Sequence, residues 1–184
     1  MKVAIGPSKR VLASPNYKWW AYTAVGTGMV LSVVDFMGVN IALPRIAEYF
    51  SASIPTVQWI TLSHVLGTSA FLMPMGRLSD MIGRKQVYIS GLLIFIIGAL
   101  LGGSAQALRV LVAAKVVQGA GLACIQTNSM AIIAAAFPDQ ERGKALGLYL
   151  MLIGAGAVTG PILGGLLVSA LGWRAFFFAT IPIA

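Results

Sequence analysis

Long apolar stretches, broken by short polar connections, set the pattern of this chain. They run from about Trp19 to Leu43, Val57 to Met75, Val87 to Gly103, Val110 to Phe137 and Ala145 to Leu171. Several offer roughly 18–27 residues with at most one ionisable group, enough to cross a hydrocarbon core about 30 Å thick at about 1.5 Å per residue. The pattern predicts an all-α polytopic membrane protein with five full transmembrane helices. A sixth apolar run, Ala175 to Ala184, supplies only about 15 Å of helix. It cannot cross a bilayer, so the reading is of a bundle with a truncated sixth helix. Residues 1–18 read as a cytoplasmic N-terminal tail and residues 19–184 as one helical domain. Pro44 is expected to end the first helix, and Trp19 and Trp20 to anchor it at the interface. The connections expected are Arg45–Pro55, Gly76–Lys85, a tight turn at Ser104–Leu108, Pro138–Lys144 and Gly172–Arg174.

Composition sharpens this. The chain is 58% hydrophobic and 10% charged, against about 25% charged in soluble domains. Its net charge of +8 does not point to nucleic acid, because the basic residues sit in short connections and no aromatic-interleaved basic patch occurs. Lys2, Lys9, Arg10, Lys18, Arg77, Arg84, Lys85, Arg142 and Lys144 fall on one side of the predicted membrane, and only Arg45, Arg109 and Arg174 on the other. That asymmetry sets the N-terminus inside, at the plasma (inner) membrane. The first apolar run is too long for a signal peptide and ends in Leu43-Pro44-Arg45, not a small-residue cleavage site. Lone Cys124 gives no disulfide frame and no zinc site. With no paired carboxylates, ligand cluster or nucleophile motif, the chain does not read as an enzyme.

The candidate chemistry lies inside the apolar spans. Asp35 sits deep in the first, where a carboxylate costs roughly 2.5–3.5 kcal/mol on insertion scales. Such a group ordinarily faces a protein interior and handles a proton, an ion or a cationic ligand. In the fourth span Lys115 is followed by Gln118, Gly119, Gly121, Gln126, Thr127 and Asn128. Lys115 is near enough to the end to snorkel, but the polar series favours an interior path. His64 can carry a proton; a hydrogen bond to a neighbouring helix is the more ordinary role. In the fifth span Gly156, Gly160 and Gly164 share one helix face, which permits close backbone approach. Pro161 favours a kink. That helix can serve either packing or a rocking motion. In the Gly76–Lys85 connection Asp80 stands among Arg77, Arg84 and Lys85, which suggests a specific ion pair or a bond to a helix N-terminus.

Taken together, these segments resemble the major facilitator superfamily, and most closely its fourteen-helix drug:proton antiporter group. The resemblance rests on Asp35 through Pro44, on Gly76-…-Asp80-…-Gly83-Arg84-Lys85, on Lys115-…-Gln118-Gly119-…-Gly121, on Gly156-…-Gly160-Pro161-…-Gly164-Gly165, and on Gly172-Trp173-Arg174 with the run that follows. It implies a secondary transporter working by alternating access between two six-helix halves, with the C-terminal half missing from this stretch. No cofactor is implied; a proton gradient supplies the energy. The expected partners are membrane lipid and a small hydrophobic or cationic substrate. Asp35, Lys115 and Gln118 would couple proton and substrate. Gly76, Asp80, Gly83, Arg84 and Lys85 would gate. Gly156, Gly160, Pro161, Gly164 and Gly165 would form the antiporter helix. The chain departs from the group's pattern where Lys115 replaces the usual Arg, Met81 replaces an Arg after Asp80, and His64 stands where Tyr is expected. A dimerising half-transporter and a non-transporting membrane interaction protein are the competing readings.

Overall fold

The computed structural model describes residues 17–181. Residues 1–16 of the expected tail, and 182–184 of the sixth run, lie outside the described residues. Among the described residues six helices follow one another: α1 Tyr17–Phe50, α2 Trp59–Ile82, α3 Arg84–Gly103, α4 Leu108–Ala136, α5 Asp139–Leu171 and the short α6 Trp173–Ala179, with a single turn at Ile54–Val57 before α2. Four of them, α1, α3, α4 and α5, are both long and apolar enough to cross a membrane. The 24-residue α2 has the length but carries more polar positions, Ser63, His64, Arg77, Ser79 and Asp80 among them.

The helices run longer than the apolar stretches alone suggest. Pro44 does not end α1, which continues to Phe50 with the proline inside it. An interior proline costs about 3 kcal/mol. The turn beyond it is held by packing, since Ile46 and Ala47 are buried in an apolar cluster with Trp173, Phe176 and Phe177. The ten-residue connection Gly76–Lys85 reduces to one residue. α2 runs through Gly76, Arg77 and Asp80 to Ile82, and α3 begins at Arg84. Gly83 alone turns the chain, at φ +106°, a region L side chains avoid. Likewise Pro138 sits at the N-cap and α5 starts at Asp139. Asp139 and Glu141 lie in its first turn, where the helix dipole favours carboxylates. The sixth run starts its helix at Trp173 and leaves it at Ala179.

α4 is the central helix, packed against α3, α2 and α1, while α5 lies along the other side of α1. Glycines make these crossings close. A Cβ on Gly119 would stand 2.4 Å from the His64 carbonyl, and one on Gly67 2.7 Å from the Val116 carbonyl, so α2 and α4 meet backbone to backbone. Gly91, Gly98 and Gly121 do the same between α3 and α4. Two apolar clusters result. One, toward the Trp173 end, gathers Val39, Ile60, Leu111 and Phe177; the other, toward the Lys18 end, gathers Met29, Phe95, Ile125 and Tyr149.

Each end is tied by charge. Lys18 of α1 contacts Glu141 of α5 at 2.5 Å, and Arg142 donates from Nε to the carbonyls of Ala134 and Phe137 that end α4. At the opposite end Arg174 donates to the Ala105 carbonyl at 2.9 Å and stacks over the Tyr49 and Trp173 rings at 4.4 Å each.

Candidate functional site

Between the two apolar clusters lies a small polar island. Asp35 projects from α1 and Lys115 from α4, and Lys115 Nζ donates to Asp35 Oδ2 at 2.8 Å. Asp35 is 0% exposed and Lys115 2%. Lys115 therefore does not snorkel; its ammonium ends on the carboxylate. Its remaining hydration is replaced in part by the face of Phe177, 4.7 Å away. A cation over a ring in a dry setting is held by about 2 kcal/mol or more.

The geometry follows from local sequence. Asp35 and Gly38 lie three residues apart on α1, yet serve different neighbours. Asp35 meets α4, while the turn holding Val34 and Gly38 meets α5. A Cβ on Gly160 would stand 3.2 Å from Val34 Cα, and one on Gly164 2.7 Å from Gly38 Cα. Gly156 packs more loosely, 3.4 Å from Val33. The smooth face of α5 thus lies along the stretch of α1 that carries the acid. Gly165 is not part of that contact: a Cβ there would reach only Ile41, at 3.9 Å. Pro161 stands beside Gly160 within a helix that continues through it.

Several buried polar atoms of the island have no hydrogen-bond partner among the described residues. They are Oδ1 of Asp35, both ring nitrogens of His64, both amide atoms of Gln118 and, further along α4, Oδ1 of Asn128. Neither His64 nitrogen makes a hydrogen bond of full geometry, but the Lys115 backbone of α4 lies beside the ring, so the bond to a neighbouring helix that its position suggests is within reach. The ring packs on Phe36, with centroids 5.6 Å apart. Ser63, its neighbour, donates to the Val112 carbonyl of α4 at 3.2 Å. Gln118 runs toward α3, its Cγ packed against Gly98. Cys124 is a small buried packing residue against Gly91.

The residues Gly76, Asp80, Gly83, Arg84 and Lys85 form a separate feature at the α2–α3 corner, and the structure does not bring them to the island. Asp80, Arg84 and Lys85 are exposed. The ion pair expected of Asp80 is not made among the described residues. What sequence reasoning missed is Phe177. An aromatic in a helix-six run carries no sign that it caps a lysine sixty-two residues away. Gly67, Gly91 and Gly98 also carry the helix crossings, and small residues on spans two and three that can face Gly119 and Gly121 are the signal that points to them.

A bundle with four helices long and apolar enough to cross a membrane, holding a buried carboxylate–ammonium pair between two apolar clusters, defines a polytopic membrane fold with a polar interior. The chain belongs to the Major Facilitator Superfamily, which it matches over residues 25–184. It is 37% identical over 161 residues to multidrug resistance protein Stp of Mycobacterium tuberculosis, covering 87% of this chain and 30% of that protein. It is 31% identical over 166 residues to riboflavin transporter RibZ of Clostridioides difficile (90% and 36%), and 35% identical over 162 residues to a methylenomycin A resistance protein of Streptomyces coelicolor (88% and 34%). The chain spans about a third of the length of these relatives. In fold it is similar to a bacterial homolog of the human lysosomal transporter Spinster, solved inward-facing and occupied, with TM-score 0.82 and 20% identity over 93% of this chain and 43% of that one. The chain is a multi-pass membrane bundle of that family.

Proposed function

We propose that these residues form the N-terminal half-bundle of a proton-coupled exporter of small hydrophobic or cationic compounds, in which the Asp35–Lys115 pair is the coupling element. The observation that carries the reading is that pair itself, fully buried and joined through only one carboxylate oxygen. A buried ion pair is a poor source of stability, because desolvation offsets most of its attraction. It is a good switch. Protonation of Asp35 removes the anion and leaves Lys115 facing only the Phe177 ring, an arrangement that favours a state where the ammonium reaches water. A cationic substrate would compete with Lys115 for the same carboxylate, and so exclude the proton. Either event biases two arrangements of α1 against α4. The glycine face of α5 against α1 allows one helix to slide on the other.

The energy source is a proton gradient, and no cofactor takes part. The partners are membrane lipid, a small-molecule substrate and a second helical half. The exposed Asp80, Arg84 and Lys85 would meet charges on that half at the cytoplasmic face, with the N-terminus inside. The relatives' names cover a multidrug resistance protein, a riboflavin transporter and an antibiotic resistance protein. They support small-molecule transport and do not select one compound.

The test is efflux driven by a pH gradient, measured in proteoliposomes with the bundle joined to its second half. Asp35→Asn abolishes pH-driven efflux while membrane insertion stays intact. Normal pH-dependent efflux by that variant, at matched expression, removes Asp35 from the mechanism. A bundle that exchanges substrate without any second half supports the dimerising reading instead.

A further inference from the structure

One buried group at the island has no task in the mechanism above. His64 is 2% exposed, and neither ring nitrogen has a partner among the described residues. Leaving a buried donor or acceptor unmade costs about 1–3 kcal/mol. A leucine or phenylalanine would fill the space without that cost. Among the described residues of the island, the free acceptor on a charged group is Oδ1 of Asp35.

Asp35 and Lys115 are the two charges that act on the His64 ring. The His64 ring rests on Phe36, the residue next to Asp35. The α2–α4 crossing at Gly67 and Gly119 presses the His64 backbone against α4 one turn beyond Lys115. A neutral imidazole has one N–H to donate; the Lys115 backbone beside it is already bonded within α4, and an ionised carboxylate oxygen is the stronger acceptor. Gln118 also holds an unpartnered amide, but its side chain runs along Gly98 of α3, away from the α1–α2 side.

We propose that His64 is a positioning residue for Asp35: its ring N–H turns to Oδ1, so that the carboxylate is held by Lys115 on one oxygen and by His64 on the other. This rests on Asp35 being the coupling acid. Among the described residues the charged or titratable groups gathered with Asp35 are Lys115 from α4 and His64 from α2; α5 meets this stretch of α1 with Gly160 and Gly164, and α6 meets it with Phe176, none of them charged. Hydrogen bonds to the ionised form of a carboxyl favour that form. His64 therefore sets how acidic the surroundings must become before Asp35 takes its proton.

The experiment is an infrared pH titration of the 184-residue chain in lipid vesicles. The carbonyl stretch of a protonated carboxylic acid is followed, and Asp35 is assigned as the band missing in Asp35→Asn. His64→Leu moves the midpoint of that band upward by about one pH unit, and His64→Gln, which keeps an N–H donor of similar reach, returns it most of the way. An unmoved midpoint in His64→Leu overturns the proposal, as does an equal shift in both variants, which assigns the effect to the imidazole's own proton. No Asp35 band at any pH, in the parent or either variant, overturns the coupling reading itself, and this inference falls with it. Should His64→Leu fail to insert, an unshifted midpoint in His64→Phe gives the same refutation.

Discussion

Removing one charge of the buried pair should damage the bundle more than removing both. At 2.8 Å and an effective dielectric near 20, the attraction between Asp35 and Lys115 is about 6 kcal/mol. Desolvating the two groups costs several kcal/mol each, so the pair nets close to zero. Asp35→Asn cancels the attraction but keeps Lys115 buried, and is expected to cost about 3–5 kcal/mol. Lys115→Met does the same to Asp35. The double variant buries a neutral amide beside an apolar side chain and is expected to cost less than either single change. The assay is thermal unfolding in detergent, read by tryptophan fluorescence, with all four proteins compared as a double-mutant cycle. For a domain of this size the single variants should lose about 6–20 °C in Tm, with the double variant recovering at least half of that loss. Strictly additive losses would refute the argument, since they would mean that the two side chains do not share one dry site.

Three further outcomes follow from the same geometry. Gly164→Ala places a methyl against the Gly38 backbone and is expected to destabilise by about 1–3 kcal/mol, whereas Gly165→Ala, open to the Ile41 methyl, should be neutral or gain up to about 1 kcal/mol of helix propensity; the same thermal assay separates them. Phe177→Leu strips the ring from Lys115 and should cost about 2 kcal/mol; in the Lys115→Met background that cost should shrink to the packing difference alone. Asp80→Asn, in the assembled transporter, should slow substrate exchange and leave equilibrium binding of substrate unchanged, and lost binding would remove Asp80 from the gate.

The spans were legible because membrane helices advertise themselves by length and apolarity; α3 and α4 follow the hydropathy within three residues, and α5 ends where expected but begins six residues earlier, at Asp139. The misread boundaries share a cause. Pro44 and Gly76 read as helix ends, as they would be in an isolated helix, but tertiary contacts override local preference. Ile46 and Ala47 are buried beyond Pro44, and at Gly76 a Cβ would stand only 3.3 Å from the Thr127 side chain. Asp35 and Lys115 could each be picked out singly, because a charge in an apolar span is costly wherever it falls. Their pairing could not, because it depends on which faces α1 and α4 turn to each other. The empty hydrogen-bonding capacity of His64 was illegible for the same reason. A histidine in a sequence looks alike whether its nitrogens are engaged or idle.

The eighty residues separating Asp35 from Lys115 also carry a consequence for how the protein is made. At about 5–20 residues per second, a ribosome needs about 4–16 s to travel from one to the other. Throughout that interval the first helix holds an acid with no cation to meet it, in a setting that charges about 2.5–3.5 kcal/mol for the exposure. The nascent first helix should therefore linger beside the insertion machinery until the fourth helix arrives, and crosslinks from Asp35's neighbours to that machinery should vanish only once Lys115 has emerged.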